Sequence, residues 1–256
     1  MRVVSLVPSL TETLIEAGAN VVGRTRFCVH PEDKIALIPA VGGTKDLSWE
    51  KLKPLHPDLL ILDQEENLPW MKAEAPCAVH VFHATSVADM PRQMQTLAGL
   101  FEAPVQLRLL EQARLWTQAS VAPDLEWRFD DIPAELRREV RSARRFEHVL
   151  YLIWKNPWMG VSQDTFIGSM FAKLGATALW PEFSEKYPKL DLAAHPPETT
   201  LLLLSSEPFP FGEKWDQLPE LAPYARVLVD GESFSWFGVR SLRFLLSRQA
   251  NSSRRG

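Results

Sequence analysis

"VVSLVPSLTETLIEAG" (residues 3–18) joins a short apolar run directly to a helix-like pattern, and this order decides the fold class. The run "VVSLV" (3–7) is typical of a buried strand. Ser9 and Glu12 have the spacing of a capping box, so a helix is expected to begin there, and Gly18 is typical of a helix end. A continuous apolar strand followed by a helix indicates a parallel sheet that is covered on both faces.

The same alternation continues along most of the chain. Further strand-like runs are "VVGRT" (21–25), "LLIL" (59–62), "VHVF" (79–82), "HVLYLIW" (148–154), "TTLLLL" (199–204) and "ARVLVDG" (225–231). Helix signals lie between them, because Ser48 precedes "WEKLKPL" and Ser86 with Asp89 forms another capping box. Further helices are expected over residues 164–174 and 236–249.

Residues 104–147 break this alternation, because they contain helix-like segments and no convincing strand. The sequence therefore predicts an α/β fold of two lobes with mostly parallel sheets, an N-terminal lobe over 1–103 and a C-terminal lobe over 148–256. The segment between them is predicted to be a helical linker. Ligands of open α/β sheets bind beyond the carboxyl ends of the strands, so the loops that follow the strands are the expected binding surface.

The composition argues against several classes of protein. A hydrophobic content of 46% and a charged content of 23% are ordinary for a soluble globular protein. The net charge of -4 gives no electrostatic reason to expect binding to nucleic acid or to an anionic membrane. The apolar runs are too short to span a bilayer. The N-terminal segment does not resemble a secretory signal, so the chain as written is expected in the cytoplasm.

The sequence shows no catalytic constellation. The serines that follow strands lack the glycines of a nucleophile elbow, and "VGGTKD" (41–46) lacks the spacing of a phosphate loop. We therefore expect no enzyme activity and no intrinsic cofactor. The six histidines have no helical ligand spacing. Cys28, His30 and His83 fall on expected strand-end loops, where a metal site and a set of polar lining residues are open alternatives.

Aromatic side chains concentrate in the loops expected at the strand ends. They are Phe27, Trp154, Trp158, Phe209, Phe211, Phe234, Trp236 and Phe237. Such rings suit a large, flat and mostly apolar ligand, and the alternative is that most of them belong to the core. Residues 155–157 end the strand at Trp154. The turn is expected to lead into the next helix, with Trp158 and Met159 facing the ligand.

Several segments, in order, resemble one family. "RVVSLVPSLTETLIEAGA" with "VGRTRFCVHP", "VGGTKDLSWEKLKPLHPDLLIL", "VHVFHATSVADMPRQMQTLAGL" and "NPWMGVSQDTFIGSMFAKLGA" are similar to segments of the substrate-binding proteins of ABC importers that have a helical backbone. The resemblance is greatest to the cobalamin-binding branch and covers nearly the whole chain. It implies two α/β lobes joined by a rigid helix, with the ligand bound in a cleft between them.

The resemblance also implies a ligand and a partner. The ligand would be cobalamin or a related corrinoid, delivered to an ABC permease by a monomeric protein in the periplasm or at the cell surface. Ligand contacts are expected from Phe27, His30, Lys45, His83, Trp154, Trp158, Phe209, Phe234, Trp236, Phe237 and Arg240. One acidic residue per lobe is expected to dock onto permease arginines, namely Glu65 or Glu66 and Glu207 or Glu213. His30 stands where the family has an aromatic residue, and it introduces a candidate ligand for cobalt or iron.

Two alternatives stay open. A receptor for a ferric siderophore or haem would use positive charge at the site, since arginine forks match oxygen anions. The cationic side chains placed to supply it are Arg24, Arg26, Lys45, Lys155 and Arg240. The other alternative is a cytosolic corrinoid-handling protein on the same fold, because a fold does not fix a function.

Overall fold

The computed structural model describes residues 1–121, 146–174 and 180–253. Residue contacts divide the chain into two compact units. The first comprises Met1–Val121 together with Trp236–Arg243, and the second lies within Ala122–Ser235 and Phe244–Gly256. The lobe boundaries expected from the sequence remain predictions. The inclusion of a C-terminal segment in the first unit is not evident from the sequence.

A five-stranded parallel sheet forms the centre of the first unit. Its strands are β1 (Arg2–Ser5), β2 (Asn20–Thr25), β3 (Ala40–Gly42), β4 (Leu59–Asp63) and β5 (Ala78–Phe82), in the spatial order β3-β2-β1-β4-β5. Val3, Val4 and Leu60 in its middle strands are fully buried, as continuous apolar runs predict. The strands predicted within the first hundred residues are confirmed. β3 was missed, because its three residues "AVG" carry no strand pattern.

The helices of the first unit lie between and after these strands. They are α1 (Pro8–Glu16), α2 (Glu32–Ile35), α3 (Trp49–Leu52), α4 (Pro69–Ala73), α5 (Met90–Ala98) and α6 (Val105–Val121). Ser48 caps α3 by accepting a hydrogen bond from the Lys51 backbone N–H at 3.4 Å. Ser86 and Asp89 form a capping box just before α5, which packs against α6. Both capping predictions are confirmed.

The start of α1 differs from the prediction. Val7 is its N-cap residue and makes no side-chain capping bond, and Pro8 opens the helix. The predicted capping box is therefore wrong, since a proline with its fixed φ begins the helix two positions earlier than a Ser9 cap would and leaves Ser9 inside it. The Glu12 carboxylate pairs with a distant arginine instead of the helix N-terminus. The predicted end is confirmed, because Gly18 follows the helix with a φ of 81°.

A four-stranded sheet forms the centre of the second unit. Its strands are β6 (His148–Trp154), β7 (Met159–Gly160), β8 (Thr200–Ser205) and β9 (Ala225–Val229), in the spatial order β7-β6-β8-β9. β6, β8 and β9 are parallel, and β7 is antiparallel to β6. Residues 201–204 of β8 are all leucines with no exposed surface, so this strand is the middle of the buried core. The three long strands are confirmed.

Residues 155–158 form the turn of a β-hairpin, so the predicted strand-to-helix turn is wrong. Trp154 lies opposite Met159 across β6 and β7. Leu190 completes the arrangement by donating its backbone N–H to the Trp158 carbonyl at 2.9 Å. A strand of two residues leaves no alternating pattern, and its partner segment lies some thirty positions away. The local sequence therefore gave no signal for the hairpin.

The described helices of the second half of the chain are α7 (Phe166–Lys173), α8 (Gly231–Ser235) and α9 (Val239–Ser253). Two of them, α7 and α9, match the prediction, whereas the short helix α8 was not predicted. Thr165 caps α7 by accepting from the Gly168 backbone N–H at 3.0 Å. Of the predicted linker, α6 fills the first part, and residues 122–145 lie outside the described residues. Within the three described ranges, no helix combines the length and hydropathy that crossing a bilayer requires.

Candidate functional site

The expected site residues follow the carboxyl ends of strands in both units. In the first unit Phe27 and His30 follow β2, Lys45 follows β3, Glu65 and Glu66 follow β4, and His83 follows β5. In the second unit Trp154 ends β6, Trp158 precedes β7, Phe209 and Glu207 follow β8, and Phe234 follows β9. Parallel strands end at one edge of a sheet, so each set of loops is gathered at one edge of its own sheet.

The segment Trp236–Arg243 brings two more aromatic rings to the first unit. Phe237 stacks on the fully buried Phe82 at the end of β5, with ring centroids 5.3 Å apart and planes within 6°. Trp236 meets the His30 imidazole edge to face, with centroids 5.5 Å apart. Trp236, Phe237 and His30 are all half-buried, so each residue keeps part of its surface accessible to solvent.

The backbone of this segment is fixed against α1. Gly238 has a φ of 144°, and a Cβ there would lie 2.5 Å from the Thr13 hydroxyl oxygen, so glycine is required. The Val239 N–H donates to the same hydroxyl oxygen at 3.1 Å. Ser241 Oγ donates to the Trp236 carbonyl at 2.8 Å. These contacts hold Trp236 in place without a ligand.

Arg240 lies beside Trp236, and its charge is already balanced within the protein. Its guanidinium donates to both oxygens of the Glu12 carboxylate, at 2.8 and 3.0 Å. Glu12 is 4% exposed. The Arg240 Cζ atom lies 5.6 Å from the Trp236 ring centroid. Arg240 therefore adds no net charge to this surface while Glu12 remains ionised.

Phe27 is the most exposed aromatic ring of the first unit, at 49%. The Arg26 guanidinium lies 4.8 Å from its ring centroid and forms two hydrogen bonds with the Asp46 carboxylate, at 2.8 and 3.1 Å. These hydrogen bonds lower the pKa of Asp46 below its ordinary value. The pair joins the loops after β2 and β3. Lys45 in the second of these loops is exposed.

Cys28 is buried inside the first unit. Its sulfur lies 3.2 Å from the hydroxyl oxygens of both Thr11 and Thr25, and the residue is 1% exposed. Burial raises the pKa of this thiol, so it stays protonated. His83 is half-buried. In the part of the chain that the structure describes, no three His, Cys, Asp or Glu side chains are placed to hold a metal ion.

An aromatic cluster of Trp154, Trp158, Phe209 and Phe211 lies at the strand ends of the second unit. Trp158 stacks on the fully buried Phe211, with ring centroids 6.4 Å apart and planes within 14°. Phe209 contacts both Phe211 at 4.7 Å and Trp154 at 5.9 Å. The Lys155 ammonium lies 5.3 Å from the Trp158 centroid. The aromatic cluster thus runs from the core to Trp154, which is 41% exposed.

Phe234 lies in the core and not on the candidate surface. It is 5% exposed and stacks on Phe171 of α7, with centroids 4.5 Å apart and planes within 2°. It also contacts Phe244 at 4.8 Å. The reason is the short helix α8, which turns this ring towards α7. Phe234 is therefore not placed to contact a ligand at the strand ends.

Most of the positive charge expected at the strand ends is engaged within the protein. Arg26 pairs with Asp46, Lys155 with Glu220 and Arg240 with Glu12, and Arg24 donates to the backbone carbonyls of Thr25, Ile35 and Ile38. Among the described residues, Lys45 has no acidic partner. The positive charge of these surfaces is therefore largely compensated, a character that the sequence alone does not reveal.

The carboxylates expected to dock onto a permease differ in how they are held. Asp63 Oδ1 accepts the backbone N–H groups of Glu65 at 2.8 Å and Glu66 at 2.9 Å, so both are ordered with exposed side chains. Burial raises the pKa of the Asp63 carboxyl. In the second unit Glu213 is exposed, whereas Glu207 is half-buried and accepts a hydrogen bond from Ser235 Oγ at 2.8 Å.

Sequence reasoning missed the role of Glu12 in this site. The sequence contained a signal for this contact, because two acidic residues and two arginines have similar helical spacing in two separate segments. Glu12 and Glu16 lie one helical turn apart, as do Arg240 and Arg243, and the structure pairs them in that order. Complementary charges at helical spacing in two helices predict such a double contact.

The two mostly parallel sheets, with candidate contacts on the loops after their strands, define an α/β protein of the ligand-binding class. The sequence profile described as "Periplasmic binding protein" matches residues 3–193. The chain belongs to the periplasmic binding protein family.

Solved structures share the fold over nearly the whole chain. The periplasmic vitamin B12 binding protein BtuF of Vibrio cholerae superposes with a TM-score of 0.69 and 14% identity, covering 97% of this chain and 95% of its own. The periplasmic haem-binding protein HutB of the same organism superposes with a TM-score of 0.70 and 18% identity, covering 98% of this chain and 98% of its own. A periplasmic haem-binding protein from Pseudomonas aeruginosa superposes with a TM-score of 0.71 and 21% identity, covering 98% of this chain and 91% of its own. Among curated proteins, none matches this sequence at a significant level.

Proposed function

We propose that this protein binds cobalamin or a related corrinoid and delivers it to an ABC importer, in the periplasm or at the cell surface. Membership of the periplasmic binding protein family supports the binding role. The choice of ligand is supported by the chemical character of the strand-end loops. The Vibrio cholerae vitamin B12 binding protein shows that this fold accommodates such a ligand.

The observation that carries the proposal is aromatic surface combined with compensated charge. Partly exposed aromatic residues lie at the strand ends of each unit, namely Trp236, Phe237 and Phe27 in the first and Trp154 and Trp158 in the second, and such rings suit a large flat ligand. A corrin ring carries mainly neutral amide groups on its edge. Ferric siderophores and haem carry oxygen anions, which favour unpaired arginine or lysine.

Haem is the second candidate, because one observation favours it. The half-buried His30 imidazole lies beside Trp236, and histidine is a common axial ligand of haem iron. The exposed Lys45 ammonium is available for a propionate. Several solved structures that share this fold are haem-binding proteins. His30 would equally serve as a ligand to cobalt, so the metal-bound forms need separate titrations.

For delivery, we propose that Glu65 or Glu66 and Glu213 contact permease arginines. All three side chains are exposed, and the first two are held on a turn organised by Asp63. Glu207 is the weaker candidate in the second unit, because its carboxylate accepts a hydrogen bond from Ser235.

The test is a titration of the folded protein with cyanocobalamin, aquocobalamin and haemin, following tryptophan fluorescence and ligand absorbance together. We expect saturable binding of cyanocobalamin at about micromolar concentration or below. A spectral shift with aquocobalamin but not cyanocobalamin would identify a histidine bound to cobalt. Binding of haemin alone would establish the second candidate, and a flat response to both cobalamins would overturn the corrinoid proposal.

A pair of variants shows where the ligand binds. Trp236→Ala is expected to weaken cyanocobalamin binding by about 1–3 kcal/mol, the usual effect of losing one stacked ring. Trp49→Ala is the matched control, because Trp49 packs against Trp70 of α4 and should leave the affinity unchanged. Equal effects from both variants would remove the first-unit strand ends from the site.

A further inference from the structure

The ion pair between Glu12 and Arg240 is bidentate and nearly buried on its acidic side. Both oxygens of the carboxylate accept from the guanidinium, at 2.8 and 3.0 Å, and the Glu12 side chain is only 6% exposed. A planar guanidinium matches a carboxylate in this two-bond geometry. The nearly buried carboxylate therefore cancels the charge of the more exposed arginine.

This ion pair lies next to an aromatic ring that is proposed to contact the ligand. The Arg240 side chain is 24% exposed, and its Cζ atom lies 5.6 Å from the Trp236 ring centroid. Trp236 in turn contacts the His30 imidazole. Charge on Arg240 thus acts within a few ångströms of the rings that are proposed to contact the ligand. Uncompensated, it would attract anions to this surface.

We propose that Glu12 is a specificity-determining residue, which neutralises Arg240 beside Trp236 and so favours neutral, amide-bearing corrinoids over anionic ligands. The selection between ligands rests on the proposed function. The neutralisation itself does not, because it is a property of the protein without ligand. The two parts can be tested separately.

A matched control lies one helical turn away. Glu16 and Arg243 belong to the same two helices and form a similar two-bond contact, with one distance of 2.9 Å. The Arg243 side chain is 61% exposed, and among the described residues the guanidinium in contact with the Trp236 ring is that of Arg240. Glu16→Gln therefore makes the same chemical change at a position where it should not alter the charge beside Trp236.

The ligand-free experiment measures the charge beside Trp236 by collisional quenching. Iodide, an anion, and acrylamide, a neutral molecule, are titrated into each protein with and without Trp236→Phe, so that the difference reports Trp236. Glu12→Gln keeps the shape of the side chain and one acceptor oxygen. It is expected to raise the iodide quenching constant of Trp236 by about twofold at low salt, with acrylamide quenching unchanged.

Two further variants keep this test decisive if Glu12→Gln does not fold. Arg240→Met removes the cationic partner of the Glu12 carboxylate and should lower the iodide quenching of Trp236. The double variant Glu12→Gln/Arg240→Met removes both charges and should restore the wild-type value. Glu16→Gln should match wild type. Iodide quenching that is the same in Arg240→Met and the double variant would overturn the inference.

The ligand experiment compares cyanocobalamin with its monocarboxylic acid derivative, in which one amide is replaced by a carboxylate. Wild type is expected to prefer the neutral form, and Glu12→Gln to shift the ratio of the two affinities towards the anion by about fivefold or more at low salt. If wild type binds neither corrinoid while the quenching series holds, the proposed function fails and neutralisation by Glu12 stands. If both corrinoids bind but the ratio is the same in Glu12→Gln and wild type, the function stands and the specificity role of Glu12 fails.

Discussion

Phe237 and Phe82 stack with their planes within 6° of each other, although one follows the last strand of the chain and the other ends β5. Phe82 is fully buried, so its ring is covered on one side by a residue from the C-terminal segment. Through this contact the first sheet depends on residues that lie far from it in sequence.

Phe237→Ala is expected to lower the free energy of unfolding by about 1–3 kcal/mol, because it uncovers Phe82 and removes a stacked pair. Denaturant unfolding followed by circular dichroism measures this change. Phe27→Ala is the control, since Phe27 is 49% exposed and should change stability by about 0.5 kcal/mol or less. Similar losses from both substitutions would contradict the role given to the stack.

Trp158→Ala is expected to affect both binding and stability. The ring is half-buried on Phe211, so its loss should cost about 1–3 kcal/mol of unfolding free energy as well as about 1–3 kcal/mol of cyanocobalamin affinity. Trp158→Phe retains a ring for the core and should recover most of the stability. A loss of stability with unaltered affinity in Trp158→Ala would place this ring in the core alone.

Tyr151→Phe is expected to show a pH-dependent effect. The buried Tyr151 hydroxyl donates to Ser205 Oγ at 3.1 Å, so removing it should cost about 0.5–1.5 kcal/mol near neutral pH. Burial raises the pKa of Tyr151 above its ordinary value of about 10. Above that pH the unfolded wild-type chain loses a proton that the folded protein keeps, so wild-type stability falls as the pH rises.

The phenylalanine variant has no proton to lose at this position, so its deficit relative to wild type should shrink between pH 8 and about pH 11. Urea unfolding of both proteins at the two pH values measures the difference. Tyr187→Phe, at an exposed tyrosine, should differ from wild type by the same amount at both pH values. A deficit that stays constant would show that Tyr151 ionises equally in both states.

The two cysteines should react with a thiol reagent at very different rates. Cys28 is 1% exposed and Cys77 is half-buried, and burial raises the pKa of both thiols. Because the thiolate is the reactive form, we expect Cys77 to react slowly with Ellman's reagent and Cys28 only after unfolding. Cys77→Ser should abolish the reaction of the folded protein. Two thiols reacting at one rate would contradict the burial of Cys28.

The fold was largely predictable because its long strands are continuous apolar runs. Val3, Leu60 and the leucines of β8 are buried on both faces of their sheets, and this leaves a strong signal in the sequence. The two shortest strands, β3 and β7, were missed. They exist through pairing with distant segments, which local patterns do not record.

The site was predictable in its residue types but not in its partners. Arg240 and Trp236 were recognised as candidates, yet the carboxylate that neutralises Arg240 lies 228 positions away and fitted a helix-capping pattern equally well. Phe234 is an aromatic residue at a position similar to those of Trp236 and Phe237, and only the packing of α8 on α7 shows that it is buried. Tertiary contacts decide these cases.

The assignment of Trp236–Arg243 to the first unit limits how this protein can be dissected. A fragment encoding residues 1–121 would contain the whole five-stranded sheet and still lack the side chains that cover Phe82 and neutralise Glu12. Such a fragment is expected to expose an apolar ring and an unpaired carboxylate, and to aggregate or remain partly unfolded. An isolated N-terminal unit therefore needs residues 236–243 as well. They can be supplied as a separate peptide or joined after residue 121 through a flexible linker.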